Sequence, residues 1–97
     1  MKRIYFKQHL EDNEWEWTLY GSYREDKITP EGDVLCHVHD VTRENVGDHL
    51  KYYLYKVYID PSEVTEITKE EFESTVAKIK TAEDLWTKAD EILKSLL

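Results

Sequence analysis

The residues best suited to chemistry lie in the run Cys36-His37-Val38-His39-Asp40. On a strand, His37 and His39 point to the same side, about 6–7 Å apart along the backbone, which lets two imidazoles reach one metal ion. Glu44 would add a carboxylate as third ligand, with His9 or His49 in its place if the fold brings either near. Such a set suits a divalent transition metal such as Zn, Ni, Mn or Fe. It makes a metal-binding protein or metal-dependent enzyme the alternative expectation. The simpler expectation is no cofactor, with both histidines ordinary residues of a sheet face.

Cys36 is the single cysteine, so neither an internal disulfide nor a CxxC zinc site can form. As a nucleophile it would need a base, and its strand neighbours His37 and His39 face away from it. A buried, inert thiol is expected. No serine elbow, phosphate-cradling glycine loop or HExxH motif occurs, and three glycines leave little material for a phosphate loop. Apart from the His37/His39 pair, the motifs offer poor evidence for an enzyme.

The other source of function is aromatic. All seven tyrosines and two of the three tryptophans precede Pro61. Tyr and Trp bring large contact area at low entropic cost and are enriched at binding hot spots. A sheet covered by helices on one face leaves its other face open. Tyr20, Tyr52 and Tyr58 are expected there beside Leu54, with Glu14 and Glu16 supplying negative charge. That surface suits a basic protein partner, as for a phage-type inhibitor or an antitoxin. A second copy of the chain is the other partner considered.

The charge balance agrees with a protein partner and excludes others. The net charge of −8 is spread evenly, with −4 carried by residues 1–60 and −4 by residues 61–97. Direct nucleic-acid binding needs a basic stripe to displace counterions, and anionic membranes need one too. Met1-Lys2-Arg3 could open a signal peptide, but Lys7-Gln8-His9 stops the apolar stretch Ile4-Tyr5-Phe6 before an h-region forms. No apolar run approaches transmembrane length. A cytoplasmic protein is expected.

These residues are positioned by two kinds of segment. Ninety-seven residues make one domain with a thin core, residues 1–60 reading as sheet and 61–97 as helix. Arg3–His9 alternates, with Ile4 and Phe6 on one side. Glu11-Asp12-Asn13 is turn chemistry, and Glu14–Tyr23 places Trp15, Trp17, Leu19 and Tyr23 on a face with Gly21. Arg24–Gly32 is a loop, Asp33–Val41 a third strand, Thr42–His49 a connector and Lys51–Asp60 a fourth strand, apolar enough on both faces to be covered at least in part. Val46, Leu50, Tyr53, Leu54 and Val57 also fall at helical spacing. Strand is favoured because Tyr, Val and Ile dominate and Asp60-Pro61 ends the run.

Thr68-Lys69-Glu70-Glu71 matches a capping box, with Phe72, Val76 and Ile79 following at helical spacing. Thr81-Ala82-Glu83-Asp84 resembles a second N-cap, followed by the stripe Leu85, Ala89, Ile92, Leu93 and Leu96. One bent helix through Thr81 is the alternative. The expected fold is α+β: a four-stranded, mainly antiparallel sheet followed by two amphipathic helices on one face. Trp86 and Leu93 are expected against the face that carries Trp15 and Trp17. The expected function is a small, acidic, non-enzymatic interaction or regulatory domain.

Overall fold

The computed structural model describes residues 2–47, 49–84 and 88–97. Five strands precede two helices: β1 (Arg3–Glu11), β2 (Trp15–Arg24), β3 (Val34–Glu44), β4 (Leu50–Ile59), β5 (Thr65–Ile67), α1 (Lys69–Asp84) and α2 (Ala89–Leu96). They form one antiparallel sheet in the order β4-β3-β2-β1-β5. The fold class is the expected α+β, with five strands in place of four. The added strand β5 is three residues long and pairs Tyr5–Lys7 with Thr65–Ile67. So short a run shows no alternation from which to recognise it.

Local chemistry sets the turns. Asp12 Oδ1 accepts from the amides of Glu14 at 2.8 Å and Trp15 at 2.7 Å, fixing the β1–β2 turn. Gly32 (φ +93°) and Gly47 (φ +100°) take the left-handed conformation in the two following connections. Strand β3 runs past Val41 to Glu44, so the β3–β4 connector is shorter than expected, and β4 is the strand that its β-branched and aromatic content favours. Thr68 Oγ1 accepts from the Glu71 amide at 3.0 Å, capping α1. Thr81 starts no second helix. It lies inside α1 and donates its hydroxyl to the Ala77 carbonyl at 2.9 Å. The second helix begins at Ala89 instead. Leu85 and Trp86 lie outside the described residues.

Each face of the sheet has its own core. Tyr20, Val41 and Leu50 form one with Ile79 and Ala82 of α1 and Leu93 of α2. Leu93 therefore packs on the Tyr20 face, opposite the face of Trp15 and Trp17 where it was expected. The second core joins Ile4, Phe6, Leu19, Tyr23, Val34, Cys36, Val38 and Ile59, with no residue of either helix among its described members. Phe6 and Val38 are nonetheless fully enclosed. The sheet achieves this by curling. β4 and β5 are opposite edges, about 19 Å apart in a flat sheet, yet residues 60–64 connect them through a 3-10 turn at Pro61–Glu63. That reach is too short for a flat sheet, and Ile4 of β1 and Ile59 of β4 share one cluster. The face that buries itself has no need of helices, and they cover the other.

Candidate functional site

The two histidines share a face, as expected, but the metal set is not assembled. His37 is exposed and sits opposite Lys56 of β4. His39 is half-buried: its Nδ1 lies 2.9 Å from the Tyr52 hydroxyl, its ring stacks on Tyr52, and Phe72 of α1 meets it edge-on. Glu44 pairs with Trp15 and so points to the opposite face. His49 precedes β4, about 17 Å along the strand from the position opposite His39. His9 is on β1, two strands away from β3.

Among the described residues, the group whose donor atoms approach one another is His9, Glu11 and Glu16, all within 4.8 Å. His9 is already engaged through both nitrogens, with Thr18 Oγ1 at 3.0 Å and Glu16 Oε1 at 3.2 Å. Arg43 approaches the other oxygen of Glu16 at 3.8 Å. Glu11 and Glu16 are directly opposed across the hairpin, and the Arg43 guanidinium beside Glu16 offsets that repulsion. This arrangement is a cross-strand polar network.

His39 gives the fold a pH dependence. Burial above all, with Lys80 and His37 adding to it, holds its pKa below the ordinary value of 6.5. Its stabilising contribution is complete above the unfolded pKa and is lost as pH falls through that value toward the folded one. His39→Gln should therefore flatten the decline in melting temperature between about pH 7 and pH 5. An unchanged slope would place the sensitivity in other groups.

Cys36 is buried and free, with its Sγ 3.7 Å from the Val34 carbonyl. Burial pushes its pKa up to about 11, with Arg3 pulling weakly the other way. A thiol this reluctant to ionise is a poor nucleophile. Asp40, which closes the run Cys36–Asp40, is a buried acid. It accepts from Thr42 Oγ1 at 2.7 Å and from the Tyr55 hydroxyl at 2.6 Å, a tie between β3 and β4. Burial and that bond push the Tyr55 pKa well up.

The expected aromatic surface is divided. Tyr20 is buried and donates its hydroxyl to the Leu96 carbonyl at 3.2 Å, pinning α2 to the sheet. Tyr52 is half-buried beneath the helices. Tyr58 is open, at 62% exposure. Glu14 is exposed in the first hairpin and Glu16 is held in the His9 network. Glu16 aligns through Arg43 with Leu50, so Tyr58 lies about 26 Å further along β4. The acidic and aromatic halves of the expected surface are thus at opposite ends of the sheet.

What the structure builds instead is an open flange at β4. Tyr53 (48%) and Tyr55 (39%) are exposed on one face, and Leu54 (56%) and Tyr58 on the other, beside the exposed Leu35 of β3. The helices cover only the Leu50–Tyr52 end, and the self-enclosed core reaches only Val57 and Ile59. The middle of the strand falls between the two. Glu44 donates its amide to the His49 carbonyl at 3.0 Å, and the register runs unbroken to Val34↔Ile59. Hydrogen-bonded pairs alternate along such a ladder, so Leu50, Tyr52, Leu54, Lys56 and Tyr58 turn their N–H and C=O groups outward. The ten residues of β4 carry Lys51 and Lys56 and no acid.

Comparison with family models, with curated proteins and with solved structures finds no match to this chain. No helix among the described residues is long and apolar enough to cross a membrane.

Proposed function

We propose that this chain is a non-enzymatic interaction domain that takes a partner strand on the open edge of β4. The observation that carries this is the exposure of Tyr53, Leu54, Tyr55 and Tyr58 on both faces of a ten-residue edge strand. An added strand gains affinity from the outward backbone groups and specificity from alternate side chains, aromatic ones above all. Natural sheets blunt their exposed edges with charge, proline or bulges. Here Lys51 and Lys56 are the only such devices within β4, whose register has no bulge. The buried thiol of Cys36 and the occupied ring of His39 support a binding role over a catalytic one.

Affinity capture from native lysate, with variants run in parallel, tests the surface. Leu54→Lys and Tyr58→Ala should each lose the protein retained by the wild type. Glu14→Lys combined with Glu16→Lys should keep it. The reverse pattern, together with binding that weakens steeply with salt, would move the contact to the acidic hairpin and restore a basic partner.

A further inference from the structure

We infer that the strand received by β4 is β4 of a second copy, in an antiparallel pair about a twofold axis at Leu54. This rests on the edge-binding function proposed above and names its occupant. Residues directly opposed in an antiparallel pair point to the same face, so their numbers must have an even sum in a symmetric β4–β4 ladder. Lys51 and Lys56 have opposite parity and can never oppose each other. The two charges that protect the edge against other strands therefore leave self-pairing open.

Two registers give the greatest overlap, centred on Leu54 or on Tyr55, and charge selects between them. With Leu54 on the axis, Lys56 of the second copy lies opposite Tyr52, and Tyr58 of the second copy lies opposite Leu50. Tyr52 and Leu50 line a groove of about 490 Å³ with Ala82 and Leu93, and the exposed carboxylates of Glu83 and Asp90 belong to the same groove. The most exposed tyrosine of the chain thus enters an apolar groove, and an edge lysine comes to its two acids. Symmetry repeats both contacts. Centring on Tyr55 would instead place Lys56 opposite Leu54, one residue pair away from the acids. On the opposite face, the Leu54 register sets Tyr53 against Tyr55. The outward groups of the five even-numbered residues form about ten backbone hydrogen bonds, the number usual for a stable interface.

Sedimentation equilibrium over a dilution series, with hydrogen exchange read at the amides of Leu54, Lys56 and Tyr58, tests this. The wild type should be a dimer at micromolar concentration, with those amides protected in the dimer and exposed on dilution. Leu54→Lys places two lysines face to face on the axis and should weaken association roughly a hundredfold. Lys56→Glu and Glu83→Lys should each weaken it, and the double variant should recover most of the loss. Recovery depends on the proposed register and would not follow from a mere folding defect. A monomer with rapidly exchanging edge amides overturns the self-pairing and leaves the edge free for another strand. A monomer with protected amides overturns both the pairing and the edge-binding function. A dimer indifferent to Leu54→Lys overturns the self-pairing.

Discussion

Phe6→Ala should cost about 3–5 kcal/mol, a large share of the 5–15 kcal/mol typical of a folded domain. Phe6 is fully enclosed at the centre of the core that has no helix residue among its described members, and its ring lies across from Gly21 on β2. A methyl group at Gly21 would come within 2.7 Å of the ring's Cζ and 3.0 Å of the His37 carbonyl oxygen. Gly21→Ala should therefore also destabilise, by about 1–3 kcal/mol, through overpacking. The two losses should not add, because the smaller residue at position 6 removes the ring that the new methyl strikes. Urea titration of the two single variants and the double variant decides this. A Phe6→Ala loss below about 1 kcal/mol would mean the sheet does not curl around that ring.

Leu93→Ala should cost about 2–4 kcal/mol on the opposite face. Leu93 is buried against Tyr20, Val41 and Leu50 and is the one buried residue of α2. Truncation should loosen α2 and with it the bond from the Tyr20 hydroxyl to the Leu96 carbonyl. A change in near-ultraviolet circular dichroism from Tyr20 should accompany the stability loss. The sheet separates Leu93 from Ile4, so Leu93→Ala and Ile4→Val should add to within a few tenths of a kcal/mol. A loss below about 0.5 kcal/mol would make α2 peripheral to the fold.

Much of this architecture was legible in the sequence, for reasons particular residues make plain. Alternation in Glu14–Tyr23 and in Asp33–Val41 marks strands because neither run offers a helical stripe. Thr68 and Glu71 mark the start of α1 because a hydroxyl acceptor is wanted at that spacing. Thr81 misled, since the same hydroxyl that caps a helix can also bond back to the preceding turn inside one. The choice of face could not be read. Trp15 and Trp17 look like the side a helix should cover, but Phe6 over Gly21 lets that side close on itself.

The candidate site was half legible. His37 and His39 do share a face, yet only the register reveals that Tyr52 takes His39 and that Glu44 turns away. Tyr58 is exposed, as expected from the sequence, whereas Tyr53 and Tyr55 lie on a face expected to be covered at least in part. Their exposure follows from the self-enclosed core reaching only Val57 and Ile59 of β4, an outcome of the curl that no local pattern encodes.

The two edges of the sheet are unequal. β4 offers ten residues, whereas β5 offers three. A strand bound at β4 uses the long template, while at the far side β5 covers only Tyr5–Lys7 of β1 and leaves an interrupted edge. In the pairing proposed above, the twofold uses the same edge on both copies, so the assembly closes at two rather than propagating as a fibre. The brevity of β5 then leaves the far edge broken into short pieces, a poor start for further growth.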